Sequence, residues 1–164
     1  MNRKHIGRIL VLGAMLAAGS AGLQAGAQTA LTGGAKHIYS ETVDPKADIA
    51  AALKKAKREH KRVILDFGGD WCGDCQVLDI YFHQNPNLPV LEKHFVLVHV
   101  WIGHMDKNID LAAQYGVPIG KGVPALAVLD ENGKVLFSQK TGEFNDMRHM
   151  DVPSVTQFLN RWKS

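Results

Sequence analysis

The stretch of sequence that decides the fold is RVILDFGGDWCGDC, residues 62–75. Its apolar and β-branched start, through Phe67, predicts a buried strand that two glycines then end. The chain's only cysteines, Cys72 and Cys75, follow at the point where a helix is expected to begin. A strand, a tight turn and a helix are therefore expected to meet at a pair of thiols.

Two thiols at this spacing can close a small, reversible disulfide ring. A helix N-terminus favours the thiolate of the first cysteine, Cys72, and so makes it reactive. A structural disulfide is the weakest alternative, because in the chain-entropy model stabilisation grows with loop length and this ring is short. Half of a zinc site is another alternative. It would need ligands from scattered histidines, since the sequence has no second cysteine pair. The pattern favours redox chemistry.

The first 27 residues differ in kind from the rest of the chain. A basic start at residues 3–8 precedes an apolar centre at residues 9–18 and a small-residue end at residues 25–27. This order is typical of a secretory signal peptide, with cleavage expected after Ala27. An uncleaved membrane anchor is the alternative, which the short apolar centre disfavours. We therefore expect export to the periplasm, with no membrane span left after cleavage.

Composition limits the function classes. The chain has 164 residues, 46% of them apolar, which is enough for one domain with a hydrophobic core. Its formal net charge is +3, but residues 1–27 hold three basic and no acidic residues, which leaves 16 of each in the remainder. The charge therefore gives no argument for nucleic-acid binding. Export also implies an oxidising compartment, where a dithiol needs an oxidant or a dedicated electron supply.

The pattern after the signal predicts one α/β domain over residues 44–164. Residues 28–43 are small, polar and Gly-containing, which predicts a flexible lead-in with little function. Strands then alternate with helices before a final hairpin and helix, which is typical of a mixed sheet. The predicted helices cover residues 45–59, 72–82, 90–94, 107–115 and 153–162, and the predicted strands cover residues 62–67, 95–102, 123–129 and 135–138.

Three separate motifs together resemble the thioredoxin superfamily. They are Asp66-Phe67, Trp71 followed by Cys-Gly-Asp-Cys, and Gly122-Val123-Pro124 before a strand and an Asn-Gly hairpin. The resemblance covers residues 44–163 and is nearest to exported bacterial thioredoxin-like proteins. It implies a thioredoxin-like fold, a central mixed β-sheet flanked by helices. It also implies a thiol-disulfide oxidoreductase that acts on protein substrates with an unidentified redox partner and needs no bound cofactor or metal.

The resemblance assigns roles to the residues of the redox motif. Cys72 is the exposed nucleophile that attacks a substrate disulfide, and Cys75 is the buried thiol that resolves the mixed disulfide. Trp71 packs beside the pair, and together with Gly73 and Asp74 it is expected to border the bound substrate.

Two residues outside the motif also receive roles from the resemblance. Pro124 takes the place of a cis-proline opposite the cysteines, where the backbone of Val123 can pair with an extended substrate. Pro118 has similar neighbours, but a strand and hairpin directly follow Pro124. Residues 118–121 then form an insertion beside the site that could shape substrate choice.

Asp66 matches a buried acid that assists proton transfer at the resolving cysteine. A carboxylate in an apolar strand favours its protonated form and could exchange protons near neutral pH. An exposed aspartate at a strand end is the alternative. His99 aligns with a lysine that accompanies this acid in relatives, although a merely buried or edge histidine fits the sequence equally well.

Asp74 stands where thioredoxins carry proline. Its charge, with Asp70 close by, should oppose the Cys72 thiolate and lower the reduction potential, whereas loss of the stiff proline acts in the opposite direction. The charge argument favours a reductant. The alternative function is a copper metallochaperone or a thiol-based binding module on the same fold, which tight Cu(I) binding would reveal.

Overall fold

The computed structural model describes residues 36–164. The predicted signal peptide and the first part of the predicted lead-in lie outside these residues. The described chain contains one sheet in the order β2-β1-β3-β4, with β1 Arg62–Gly68, β2 Phe95–Trp101, β3 Ala125–Leu129 and β4 Val135–Ser138. β2 runs parallel to β1, whereas β3 is antiparallel to both β1 and β4. The predicted mixed sheet is confirmed.

Helices pack on both faces of this sheet. They are α1 Pro45–Glu59, α2 Gly73–Phe82, α3 Asn87–His94, α4 Ile109–Gln114 and α5 Val152–Trp162, with short 3₁₀ helices at Ile119–Lys121 and Met147–His149. Asp44 caps α1 as the sequence predicts, because its Oδ1 accepts the Lys46 N–H at 2.9 Å. No helix within residues 36–164 has both the length and the apolar character that a membrane crossing requires.

The hydrophobic core has two layers because β1 is buried on both sides. Val63, Leu65 and Phe67 pack with residues of α1 and α4 on one face. Ile64, one position out of phase with them, packs with α2, α3 and α5 on the other face. This double burial explains why β1 reads as a continuous apolar run.

α3 begins earlier than the sequence predicts. Pro89 suggested a break before residue 90, but the helix starts at Asn87 and holds Pro89 in its first turn. The first N–H groups of a helix have no partner inside it, so proline costs little there. Asn87 is fully buried, and its Nδ2 donates to the Tyr81 carbonyl at 2.8 Å.

Residues 36–39, which we call the N-terminal segment, pack against the domain instead of forming a flexible lead-in. The backbone N–H groups of Ile38 and Tyr39 donate to Asp70 Oδ1 at 2.9 and 3.1 Å. The Tyr39 side chain is only 3% exposed. The packed domain therefore starts before residue 44. The sequence did not indicate this, because a single buried aromatic residue has no periodic pattern around it.

Candidate active site

The two cysteines occupy the first turn of α2 and are joined by a disulfide, with Cα atoms 5.2 Å apart. Cys72 is the N-cap residue, and its Sγ accepts the Cys75 N–H at 3.1 Å. Cys72 is 6% exposed and Cys75 is fully buried. Cys72 is therefore less exposed than the resemblance implied, but it is the more exposed residue of the pair.

The Val123–Pro124 peptide is cis and faces this disulfide. The Val123 carbonyl oxygen lies 3.6 Å from Cys72 Sγ. The buried side chain of Gln139 holds the segment, since its Nε2 donates to the Pro124 carbonyl and its Oε1 accepts the Leu126 N–H. Pro118 instead precedes the 3₁₀ helix Ile119–Lys121 through a trans peptide. Pro124, and not Pro118, therefore has the cis peptide that faces the cysteine pair.

Asp66 lies in the middle of β1 and is fully buried, which excludes the exposed alternative. Its Oδ2 accepts hydrogen bonds from the Tyr39 hydroxyl at 2.8 Å and from His99 Nδ1 at 3.0 Å. His99 is the β2 residue directly opposite Asp66 in the parallel pairing. The predicted neighbourhood of Asp66 and His99 is therefore confirmed.

A second buried carboxylate lies on the other side of His99. Asp79, which is 3% exposed, has its Oδ1 3.6 Å from His99 Nε2. Lys36 Nζ lies 3.0 Å from Asp79 Oδ2, and His83 Nδ1 lies 3.0 Å from Asp79 Oδ1. We call Tyr39, Asp66, Asp79 and His99 the acid cluster. It connects the buried strand to the partly exposed side chains of Lys36 and His83.

The environment decides the protonation of the two hydrogen-bond donors to Asp66. Burial and the nearby Asp66 charge raise the pKa of Tyr39 well above its usual value, so the hydroxyl stays protonated. Burial alone would lower the pKa of His99. The hydrogen bond to Asp66 and the charges of Asp66 and Asp79 outweigh burial and raise that pKa. His99 therefore carries its charge at higher pH than an exposed histidine.

Gly68, at the end of β1, lets the acid cluster approach Cys75. A Cβ added to Gly68 would lie 2.6 Å from Tyr39 Oη and 2.8 Å from Cys75 Sγ. Both atoms therefore border the same small space, with the Tyr39 hydroxyl between that space and Asp66. The second oxygen of Asp66, Oδ1, is buried and has no hydrogen-bond partner among the described residues.

The negative charge of Asp74, which the sequence suggested would oppose the Cys72 thiolate, is compensated by Arg148. Asp74 Oδ1 accepts the backbone N–H and the Nε–H of Arg148 at 2.9 and 3.1 Å, and Asp74 Oδ2 lies 3.1 Å from Arg148 Nη2. Burial opposes ionisation of Asp74, but these contacts outweigh burial and lower its pKa. Asp70 is likewise occupied, by the N-terminal segment.

Trp71 forms an exposed apolar surface next to the disulfide. Its side chain is 45% exposed, donates from Nε1 to the Gly103 carbonyl at 2.6 Å, and stacks on His104 with ring centroids 5.7 Å apart. Met105, 38% exposed, lies in the same loop as Gly103 and His104. The structure thus brings Trp71 beside the pair, as the resemblance implied.

Sequence reasoning missed Tyr39, Asp79 and Arg148. Asp79 had a usable signal, because it lies four positions after Cys75 and hence on the same face of α2. Tyr39 and Arg148 had none, since each contacts the site only through the tertiary fold. In the part of the chain that the structure describes, no group of three or more His, Cys, Asp or Glu side chains is arranged to hold a metal ion.

A family model described as thioredoxin-like matches residues 44–131, just over half of the chain. The chain belongs to the thioredoxin-like family. Among solved structures, a disulphide isomerase from Xylella fastidiosa Temecula1 is 35% identical, with a TM-score of 0.73 over 77% of this chain and 96% of that one. The oxidised C-terminal domain of DsbD from Neisseria meningitidis shares the thioredoxin-like fold at 20% identity and a TM-score of 0.51, over 74% of this chain and 97% of that domain.

Among curated sequences, the thiol:disulfide interchange protein DsbD of Pseudomonas fluorescens is 29% identical over 133 residues, 77% of this chain. The chain spans about a fifth of the length of that relative and of the DsbD of Colwellia psychrerythraea. The thioredoxin-like match thus concerns the domain that carries the cysteine pair.

Proposed function

We propose that this protein is an exported thiol-disulfide oxidoreductase that reduces disulfides of other proteins through Cys72 and Cys75. The observation that carries the proposal is the position of the pair. Cys72, the more exposed residue of the pair, is bonded to the fully buried Cys75 and lies opposite the Val123 carbonyl that precedes a cis-proline. Neither cysteine has another covalent partner, so the pair can cycle between dithiol and disulfide.

In the first step, the Cys72 thiolate of the reduced protein attacks one sulfur of a substrate disulfide. A mixed disulfide forms, and the other substrate sulfur leaves as a thiolate that takes a proton from water. The backbone of Val123 and the exposed face of Trp71 flank Cys72 and provide a surface for an extended substrate segment. The α2 N-terminus stabilises the attacking thiolate.

In the second step, Cys75 loses its proton and attacks Cys72 Sγ. The Cys72–Cys75 disulfide forms, and the second substrate sulfur leaves as a thiolate that takes a proton from water, so two electrons have passed to the substrate. We assign the proton of Cys75 to Asp66, whose Oδ1 is buried and unpartnered within the described residues. His99 and Asp79 then offer a route from Asp66 towards His83 and Lys36.

The direction of electron flow is part of this proposal. A base beside Cys75 is needed when the Cys75 thiol is deprotonated to resolve the mixed disulfide between Cys72 and the substrate. This step belongs to the reductive direction. The protein would then be returned to its dithiol form by a second dithiol donor. The charge of Asp74 supports the direction less than the sequence suggested, because Arg148 compensates it.

The reduction potential of the pair tests the proposal. Equilibration with glutathione or dithiothreitol should give a value near that of thioredoxin, about −270 mV, for a reductant, and a value near about −120 mV would instead indicate a disulfide donor. A pair that does not titrate reversibly would contradict the redox function altogether.

Two cysteine variants test the order of the steps. Cys72→Ser should abolish reduction of insulin disulfides, because no nucleophile remains at the surface. Cys75→Ser should instead accumulate a mixed disulfide with the substrate, visible on a non-reducing gel, since the resolving step is lost. Trapping through Cys75 in the Cys72→Ser protein would reverse the assignment of the two roles.

A further inference from the structure

We propose that Arg148 sets the reduction potential of the Cys72–Cys75 pair by cancelling the charge of Asp74 inside the redox motif. This inference rests on the proposed redox function and names a residue that tunes it. Arg148 is a positioning residue, because it acts through Asp74 and through its charge rather than by touching the substrate.

The geometry of the Asp74–Arg148 pair is that of a fixed contact between distant parts of the chain. Arg148 gives Asp74 its backbone N–H and two guanidinium nitrogens, all at 2.9–3.1 Å. The segment that carries Arg148 is anchored, since the adjacent Met147 is fully buried in the core. Asp74 is 7% exposed, so its carboxylate depends on Arg148 for neutralisation.

The guanidinium lies close enough to the motif to act on the sulfur. A Cβ on Gly73, the residue between Cys72 and Asp74, would lie 3.7–3.8 Å from Cδ, Nε and Nη1 of Arg148. A negative charge beside a thiolate destabilises it and a positive charge stabilises it. Side by side, Asp74 and Arg148 leave Cys72 next to a nearly neutral pair.

The other titratable side chains next to the pair already have partners. His149, the neighbour of Arg148, contacts Asp146. Asp70 accepts hydrogen bonds from the N-terminal segment and contacts His37. Neutralising either Asp74 or Arg148 therefore alters the local charge by one unit, since the neighbouring side chains already have other partners.

Removal of each partner should shift the potential in opposite directions. Asp74→Asn leaves Arg148 alone, stabilises the thiolate and hence the reduced form, and raises the potential. Arg148→Gln leaves Asp74 alone and lowers it. We expect about tenfold in the equilibrium constant with glutathione for each, equivalent to about 30 mV for a two-electron couple. The double variant should return towards the wild-type value, since both charges are gone.

In the experiment, each variant is expressed as the full-length chain, and the protein recovered after signal processing is equilibrated with glutathione. The fraction of oxidised protein is then measured. Arg148→Lys is the conservative variant and should keep most of the wild-type potential. Arg161→Gln is the matched control. It removes the same charge from α5, where Arg161 has no hydrogen bond or ion pair with Asp74. The thiolate absorbance during a pH titration gives a second readout, the pKa of the Cys72 thiol. A merely structural role of Arg148 would not shift this pKa in opposite directions in the two single variants.

Arg148→Gln decides the matter if burial makes Asp74→Asn unstable, because the Arg148 side chain is 63% exposed and the backbone N–H at position 148 still donates to Asp74 in this variant. An unchanged potential in folded Arg148→Gln, or a shift of the same sign in both single variants, overturns the inference. In those cases a reversible wild-type titration leaves the proposed function standing. If the wild-type pair does not titrate, both ideas fail.

Discussion

At the scale of single residues, His99 is unusual in lying between two buried carboxylates. Its Nδ1 is 3.0 Å from Asp66 and its Nε2 is 3.6 Å from Asp79. A protonated imidazole presents an N–H group to each of the two acids, whereas a neutral one presents an N–H group to only one of them. The charge state of His99 therefore links the proton transfer that we propose at Asp66 to the stability of the fold.

The raised pKa of His99 predicts a specific pH dependence of stability. A group whose folded pKa exceeds its unfolded value stabilises the fold fully below the unfolded pKa, about 6.5 for histidine. That stabilisation is lost as pH rises through the folded pKa. Each unit of elevation corresponds to about 1.4 kcal/mol. Urea unfolding of the oxidised wild type and His99→Gln should therefore give a stability difference that shrinks above about pH 6.5.

The matched control for this prediction is His94→Gln. His94 is partly exposed, and its side chain has one hydrogen-bond partner among residues 36–164, the Ser164 hydroxyl at 3.2 Å. Its removal should leave the pH dependence of unfolding as in the wild type. A wild-type to His99→Gln difference that stays constant from pH 5 to pH 9 would show that the two carboxylates do not hold a proton on His99.

At the scale of secondary-structure elements, the end of β1 is the point where the strand, α2 and the N-terminal segment meet. Gly68 has no side chain, and the Tyr39 hydroxyl and Cys75 Sγ fill the space that a Cβ would take. A Cβ at position 68 would lie 2.6–2.8 Å from these two atoms, which is closer than real Cβ contacts. A larger residue must therefore displace one of the two groups.

Gly68→Ala should therefore destabilise the protein by about 1–3 kcal/mol, the usual cost of overpacking. It should also slow the resolving step, since either Tyr39 or Cys75 must move. Gly120→Ala is the matched control, because a Cβ at Gly120 meets nothing within 4 Å. Chemical denaturation and single-turnover reduction kinetics measure the two effects. Equal behaviour of the two alanine variants would mean that the site accommodates the methyl group.

The elements themselves were largely predictable, because local signals define them. The apolar run of β1, the Asp44 cap with Pro45 in α1, and the turn before β4 are each encoded within a few residues. Asp130 illustrates the last case, since its Oδ1 accepts the Asn132 and Lys134 N–H groups. Contacts between elements were not predictable in this way. Tyr39 joins Asp66 across 27 positions and Arg148 joins Asp74 across 74, so no local pattern records them.

At the scale of the whole molecule, export remains a proposal that rests on the N-terminal sequence. The basic start, apolar centre and small-residue end of residues 1–27 predict cleavage after Ala27. The remaining chain carries balanced charge, so the positive charge of the full sequence belongs to the predicted signal.

Expression of the full-length chain in a bacterium with a periplasm should give a periplasmic protein that begins at Gln28, as mass spectrometry of the intact protein can establish. Ala27→Phe should block processing, because signal cleavage sites require small residues. Ala30→Phe, beyond the site, should be processed normally. Recovery of the unprocessed chain in the cytoplasm would contradict the proposed location.

The crowding at Gly68 also has a consequence for how this sequence can diverge. Positions 39 and 68 share one space, so a substitution at either restricts the residues that selection tolerates at the other. We expect descendants that keep an aromatic hydroxyl at position 39 to retain glycine at position 68. Lineages that acquire a side chain at position 68 should first have lost the tyrosine. Paired changes at positions 39 and 68 in an alignment would mark lineages in which the hydrogen bond from the Tyr39 hydroxyl to Asp66 has been replaced by another arrangement.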